Sequence, residues 1–102
     1  MGANPRFKNT AATPERIRVD FIKRELQIGM TFARLAHTET SVGMVEDARR
    51  AEENARKVYA AFTGFLPMVE QRLTEEDGIE IEQMRIQLEQ LLASLQAGTT
   101  SH

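Results

Sequence analysis

Two side chains in one polar stretch, His37 and Glu39, are the best-placed groups for acid–base chemistry in this chain. An imidazole exchanges its proton near neutral pH, and a neighbouring carboxylate is a common partner that orients it. Arg34 lies one helical turn earlier and would complete a small polar pocket. The pattern defines one hypothesis, a small ligand-binding or catalytic helical bundle that uses polar groups near His37. A lone turn histidine more often faces water, so we rank this hypothesis second.

Other groupings of reactive residues do not add up to a catalytic or metal site. The chain has two histidines, His37 and His102, no cysteine, and no Glu-x-x-His pair of the kind found in di-metal bundles. Acidic residues cluster at Glu52–Glu53 and Glu75–Asp77, where helix capping and solvation account for them. Nucleophile motifs and glycine-rich phosphate loops are also missing from the sequence. We therefore predict no catalytic residue, no metal, no cofactor and no enzymatic activity.

Positive and negative charges are nearly balanced in number but separated along the chain. The formal net charge is -2 at pH 7, which provides no general attraction to nucleic acids or anionic membranes. Basic residues outnumber acidic ones from Arg6 to Arg24, and the balance reverses from Glu70 to Glu89. We expect these two segments to face each other, within one chain or between two. A third hypothesis is a nucleic-acid accessory protein that uses the basic N-terminal arm, although no aromatic or glycine-rich reading element accompanies it.

Length and composition indicate a small helical domain without a membrane segment. A chain of 102 residues has room for one domain with a modest core. No apolar run approaches the roughly 20 residues of a membrane-spanning helix, so we predict no membrane partner. The absence of cysteine fits a reducing compartment, and we predict a cytoplasmic location. Strand-like alternation is nearly absent, which favours an all-α fold.

The stretch from Met44 to Leu66 has the clearest helical pattern, and we interpret the other segments as its partners. Its apolar residues recur at steps of three and four, which places them on one stripe of a helix with charged residues on the other side. Small alanines occupy the first half of this stripe, and larger groups such as Phe62 occupy the second. A neighbouring helix is therefore expected to approach closely at one end only.

A first helix is predicted to begin at Thr13-Pro14-Glu15. This sequence offers a capping hydroxyl, a proline suited to the first helical position and an acid at the positive end of the helix dipole. The apolar face that follows is wide, and Gly29 interrupts it at a cost of about 1 kcal/mol relative to alanine. We expect Gly29 to form a shallow groove for the alanines of the second helix. The turn signal at 37–43 then makes the two helices an antiparallel hairpin.

Pro67 leaves two alternatives for the end of the second helix. Proline in a helix interior removes a backbone donor and clashes with the preceding turn. Either the helix bends near Thr63 to Pro67 and continues to about Leu73, or it ends near Leu66. We favour the bend, because the apolar stripe carries on beyond the proline.

The last helix is predicted to begin after Thr74, which is followed by three acidic residues suited to a helix N-terminus. Gly98 is the expected C-cap. The apolar seam between these ends steps by three and four residues and consists of Ile81, Met84, Leu88, Leu91 and Leu95. We therefore divide the chain into a flexible N-terminal arm (1–12), one helical-bundle domain (13–97) and a disordered tail (98–102).

Together these elements predict an all-α fold, a three-helix bundle made of an antiparallel hairpin and a third helix. The apolar residues exceed what one chain of this size is expected to bury, so we predict self-association, with a homodimer favoured, or docking of a partner helix. The predicted interface consists of Phe62, Phe65, Leu66, Met68, Leu88, Leu91 and Leu95. A non-enzymatic interaction or structural role is the first hypothesis for function.

Overall fold

Three helices account for almost all of the chain that the structure describes. The computed structural model describes residues 13–100, with side chains to residue 96. Helix α1 spans Pro14–Ser41, α2 spans Val45–Val69, a short 3-10 helix spans Glu70–Arg72, and α3 spans Glu75–Thr100. Residues 13–100 contain no strand, and the predicted all-α, three-helix bundle is confirmed. The predicted N-terminal arm at 1–12 lies outside the described residues.

Local sequence explains both ends of α1. The Thr13 hydroxyl accepts a hydrogen bond from the Arg16 backbone N–H at 3.1 Å, and Pro14 occupies the first helical turn, as the sequence predicts. At the other end the helix continues to Ser41, so the turn predicted at 37–43 is wrong for residues 37–41. The chain reverses at Gly43, whose φ of +84° lies in the left-handed region that glycine adopts without strain. Both the start of α1 and the turn that follows it are therefore set by a few neighbouring residues.

Helices α1 and α2 lie side by side and antiparallel. Phe21, near the start of α1, contacts Phe65 near the end of α2, with ring centroids 5.3 Å apart. Farther along α1, Gly29 faces Val58, which lies earlier in α2. A later residue of α1 thus contacts an earlier residue of α2, as expected for antiparallel helices.

Helix α3 runs in the same direction as α1 and packs mainly against it. Arg16 donates to Asp77 at 3.1 Å near the start of both helices, and His37 reaches Leu91 toward their other ends. The contact of α3 with α2 is smaller than its contact with α1. Helix α1 is therefore the central element of the bundle, a role that the sequence pattern assigned to α2. The reason is that α1 uses one side for α2 and another for α3.

The core is one apolar cluster to which all three helices contribute. Its buried members are Val19, Ile22, Leu26, Met30, Ala33 and Ala36 of α1, Ala51, Ala55, Phe62 and Val69 of α2, and Ile81, Met84, Leu88, Leu92 and Leu95 of α3. The predicted α3 seam thus faces the core, except that Leu91 is only partly buried and Leu92 takes a fully inward position. No helix in residues 13–100 has the length and apolarity needed to cross a membrane.

The close approach of α1 to both neighbours depends on Gly29. A Cβ atom at this position would lie 3.0 Å from Leu88 Cδ2 of α3 and 3.1 Å from Val58 Cγ1 of α2, which is tighter than ordinary van der Waals contact. At Gly29 itself the neighbours are Val58 and Leu88 rather than the predicted alanines. Ala51 and Ala55 of α2 are buried in the same core cluster as Ala33 and Ala36 of α1.

Adding one methyl group is expected to have opposite effects at two glycines. In Gly29→Ala, a gain in helix propensity of about 1 kcal/mol is opposed by overpacking, which costs ~1–3 kcal/mol, so we expect a net loss on the order of 1 kcal/mol. At Gly64, in α2, nothing lies within 4 Å of the added Cβ. Gly64→Ala should therefore stabilise the fold by about 0.5–1 kcal/mol. Urea unfolding of both variants measures the difference, and a stabilised Gly29→Ala would contradict the close packing.

Helix α2 continues through Pro67 and ends at Val69. The 3-10 helix follows, and Leu73 is extended, so the α-helical path stops short of the predicted end near Leu73. Val69 is buried, which holds the last helical turn against the core despite the missing proline N–H. A bend of α2 at Pro67 stays a prediction.

The start of α3 matches its sequence signal, whereas its end lies past the expected residue. The Thr74 hydroxyl accepts from the Asp77 N–H at 3.1 Å, which is the predicted cap. The helix continues to Thr100, beyond the C-cap expected at Gly98. A single glycine costs a helix about 1 kcal/mol and does not by itself end it. Residues 101–102 of the predicted tail lie outside the described residues.

Candidate functional site

His37 is used in the packing of the bundle. Its Nε2 donates to the backbone carbonyl oxygen of Leu91 at 3.2 Å, so the half-buried imidazole joins the end of α1 to α3. Glu39 Oε1 is enclosed and has no hydrogen-bond partner among the described residues. The hydrogen-bond partner of the His37 ring is thus a backbone oxygen, and not the Glu39 carboxylate that was predicted to orient it.

A shallow depression of about 240 Å³ lies beside this histidine, between α1 and α3. Its lining consists of Arg34, Gln87, Gln90, Leu91 and Ser94. Of the predicted pocket residues, only Arg34 is present, and His37 and Glu39 are not part of the lining. The polar lining groups are a guanidinium, two amides and a hydroxyl, and neither a histidine nor a carboxylate is among them. The depression therefore presents hydrogen-bond donors but no acid–base pair.

The described residues also lack a place for a metal ion. Nowhere in this part of the chain do three or more histidine, aspartate or glutamate side chains converge in a way that could hold one. Many acidic residues instead pair with arginine and lysine, and two of the resulting networks connect the helices.

The first network ties the start of α3 to α1. The Asp77 carboxylate accepts from Lys23 Nζ at 2.6 Å and from both terminal nitrogens of Arg16 at 3.1 and 3.3 Å. Lys23 also donates to Glu80 at 2.9 Å. The side chains of Asp77 and Lys23 are only 11% and 18% exposed, so this pair is largely shielded from water. For its described part, residues 13–24, the expectation that the basic segment faces the acidic one is confirmed, within a single chain.

The ionisation of this network is set by its own contacts. Hydrogen bonds from Lys23 and then from Arg16 lower the pKa of Asp77 from 3.8 to about 2, against the smaller opposing effect of burial. The bond to Asp77 in turn raises the pKa of Lys23 and that of Arg16. All three groups are therefore charged at neutral pH, and the network acts as a tether between helices rather than as a proton donor or acceptor.

The second network ties α3 to α2. The Tyr59 hydroxyl donates to the Glu89 carboxylate, and Arg85 bridges Glu89, at 2.6 Å, and Glu82. The hydrogen bond to Glu89 and partial burial raise the pKa of Tyr59, while Glu82 and Glu89 raise the pKa of Arg85. These polar groups are satisfied by one another, so they too serve to join helices.

The seven residues predicted as an interface divide into three groups. Three are buried in the core of the single chain: Phe62, Leu88 and Leu95. Two pack partly against that core: Leu66 and Leu91. Two are exposed: Phe65 and Met68. The assignment of the first three to a surface is corrected by the fold, because the three helices close over them, and only the last two present large apolar side chains to solvent.

A larger exposed apolar surface lies on α1, a helix that contributed no residue to the predicted interface. Ile17, Phe21, Ile28 and Leu35 are 60%, 41%, 38% and 44% exposed. Because they are spaced by four, seven and seven residues, they share an arc of about 40° on the helix, away from the buried face of α1. Phe65 extends this surface onto α2 by its edge-on contact with Phe21. We call Ile17, Phe21, Ile28, Leu35, Phe65 and Met68 the exposed apolar surface.

The signal for this surface is present in the sequence as the unusual width of the α1 apolar face. A helix that covers a core with one side needs a stripe of apolar residues, not two stripes. In α1 the residues Val19, Ile22 and Leu26 form the buried stripe, and Ile17 with Phe21 begin a second one. Treating both as one wide face concealed the second stripe.

Comparisons with known protein families, with curated proteins and with solved structures find no match to this chain. The fold and the surface therefore define the class, which is a three-helix bundle with tied helices and an apolar face that its own described residues leave open.

Proposed function

We propose that this protein is a non-enzymatic helical interaction protein that self-associates, with a homodimer as the favoured state, through the exposed apolar surface. Docking of a helix from another protein onto the same surface is the alternative form of this function. The observation that supports the proposal is the second apolar stripe of α1, whose residues Ile17 and Leu35 remain about half exposed. We also propose a cytoplasmic location, which the cysteine-free sequence suits.

The size of the surface supports a weak, specific contact. With about 200 Å² for a fully exposed large side chain, its six residues leave on the order of 500 Å² of apolar area per chain. Two such surfaces together bring about 1,000 Å² into contact, which is at the lower limit for a specific interface. We therefore expect dissociation constants on the order of micromolar rather than nanomolar.

The polar side chains support a non-enzymatic role, because the ones named here form contacts within the bundle. His37 donates to Leu91, and Tyr59, Arg85 and Glu89 bind one another. Asp77, the most buried carboxylate that the structure describes, is paired with two cations. These polar groups join the helices of the bundle, whereas the exposed apolar surface has no such internal use.

Native mass measured by size-exclusion chromatography with light scattering tests the proposal. Between about 1 µM and about 1 mM protein, the mass should rise toward that of a dimer, since this range brackets the expected constant. Ile28→Asp should hold the protein at the monomer mass, because it buries a charge in the contact. Ile86→Asp is the matched control, since Ile86 is 41% exposed, similar to Ile28 at 38%, but lies on α3.

Two results would contradict the proposal. One is a monomer at every concentration and at both low and high salt, together with failure of the exposed apolar surface to bind a partner helix. The other is a dimer that Ile86→Asp disrupts and Ile28→Asp leaves intact, which would move the interface to α3. Circular dichroism of both variants checks that the helices are retained.

A further inference from the structure

Resting on the proposed function, we propose that the occupant of the exposed apolar surface is a second copy of this chain, with the two α1 helices antiparallel and in one register. In this register residue 17 of one copy lies opposite residue 35 of the other, and the symmetry axis passes near residue 26. The proposal names the partner and its orientation, neither of which follows from the exposed surface alone.

The spacing of the α1 stripe defines this register. Phe21, Ile28 and Leu35 repeat every seven residues, and Ile17 lies four residues before the first of them. Seven-residue spacing keeps side chains on one seam when two helices wind around each other. In the antiparallel register, Ile17 of each copy packs against Leu35 of the other copy. The stripe is about 27 Å long at 1.5 Å per residue. The two symmetry-related contacts between Ile17 and Leu35 therefore lie at its two ends.

Charges on the stripe and beside it select the antiparallel orientation. Arg24 lies on the stripe between Phe21 and Ile28. In a parallel pair, Arg24 would meet Arg24 of the other copy, a like-charge contact in a region that is being desolvated. In the antiparallel register it lies opposite Ile28 of the other copy, where its aliphatic stem can cover an apolar side chain while the guanidinium reaches water.

Two flanking residues complete the selection. Asp20 and Arg34 lie on the same flank of the stripe, 14 residues apart in sequence, or about 21 Å along the helix. In the antiparallel register Asp20 of each copy comes beside Arg34 of the other copy, which makes two ion pairs related by symmetry. Arg34 makes no ion pair with the described residues, and the Asp20 side chain is 57% exposed although it also bonds Arg16. Both groups are therefore accessible for this contact.

Cysteine crosslinking reads the orientation directly, because the natural chain has no cysteine. We expect that Ile17→Cys and Leu35→Cys, mixed and oxidised, form a disulfide-linked heterodimer, whereas each variant alone crosslinks poorly. A parallel pair would instead link Ile17→Cys to itself. Ile86→Cys mixed with Leu35→Cys is the control for random collision.

A charge swap tests the register by an independent readout. Arg34→Asp and Asp20→Arg should each weaken dimerisation by about tenfold at low salt, because each replaces two attractive contacts by repulsive ones. The double variant should recover the dissociation constant of the natural chain. In a parallel pair residues 20 and 34 of the two copies do not meet, so the double variant would show no recovery relative to the single variants.

The outcomes separate this inference from the function on which it rests. If Ile28→Asp abolishes the dimer but the mixed cysteines do not crosslink and the double variant stays weak, the antiparallel register is wrong and self-association stands. A natural chain that remains monomeric at about 1 mM overturns the register and self-association together, since micromolar association would be nearly complete there, and leaves only docking of a partner helix. Crosslinking of the mixed cysteine variants, together with a recovered dissociation constant in the double charge variant, supports both self-association and the antiparallel register.

Discussion

Replacing Phe62 by alanine is expected to lower the free energy of unfolding by about 3–5 kcal/mol, the usual cost of removing a buried phenylalanine. Phe62 is 1% exposed, lies in the core cluster to which all three helices contribute, and has its ring 6.1 Å from that of Tyr59. The loss would be a large part of the ~5–15 kcal/mol of a typical domain. The variant should therefore be partly unfolded well below the melting temperature of the natural chain.

Phe65→Ala is the matched control, because it removes the same ring three residues later. Phe65 is 38% exposed and makes one edge-on aromatic contact, which contributes about 0.5–1.5 kcal/mol beyond area burial. We expect a smaller loss of stability and a clear loss of dimer mass. Thermal unfolding combined with light scattering separates the two effects. Equal destabilisation by the two changes would mean that the core boundary in α2 has been misplaced.

Asp77→Asn is expected to lower the free energy of unfolding by about 2–3 kcal/mol at neutral pH. The pKa of Asp77 falls from 3.8 to about 2 in the folded protein, and each unit of difference corresponds to about 1.4 kcal/mol. Asparagine keeps the shape of the side chain but leaves the Lys23 ammonium, which is 18% exposed, without its nearest carboxylate. Removing one partner of a shielded ion pair is costly, because the other charge stays where water is scarce. The start of α3 should then detach from α1 more readily.

The pH dependence of this effect has a definite sign. Because the folded-state pKa of Asp77 lies below the unfolded value of 3.8, its contribution is present above about pH 4 and is lost as the pH falls toward 2. The difference between the natural chain and Asp77→Asn should therefore shrink over that interval. Urea unfolding at a series of pH values measures it. A difference that is as large at pH 2 as at pH 6 would show that the asparagine acts through packing instead.

A double-mutant cycle with Lys23→Met isolates the pair from the rest of the network. Methionine retains an unbranched side chain without the charge, so it leaves the packing of the lysine stem largely in place. If the Lys23–Asp77 contact is the main tether, the two changes together should cost less than the sum of the two single changes. Additive costs would indicate that Arg16, which also binds Asp77, dominates.

The starts of α1 and α3 could be predicted in detail because the signals act over one turn. Thr13 caps α1, Thr74 caps α3, and Gly43 reverses the chain, as residue type alone suggested. The opposition of basic and acidic segments was also visible in sequence. The individual ion pairs could not be predicted from the sequence. Lys23 and Asp77 are separated by 54 positions, and many other basic and acidic residues could have formed attractive pairs as well.

The candidate site was predicted less well than the fold. Periodicity shows that a residue belongs to an apolar stripe, but it does not tell which neighbour covers that stripe. Leu88 and Leu95 were expected at an interface and lie in the core, while Ile28 and Leu35 belong to the wide apolar face of α1 and lie at the surface. Both outcomes have one cause, which is that α2 and α3 together cover the buried stripe of α1 and leave its other apolar stripe open.

The amino-acid sequence by itself therefore determined the helical class, the places where α1 and α3 begin, and the oppositely charged segments that meet. These follow from capping, backbone preference and charge, which depend on residues within a few positions or on sign alone. Only the tertiary structure decided which helix is central, which carboxylate is buried beside Lys23, and which stripe of α1 is left open. Those outcomes depend on how closely whole helices approach, and at Gly29 that approach is set by side chains of both α2 and α3.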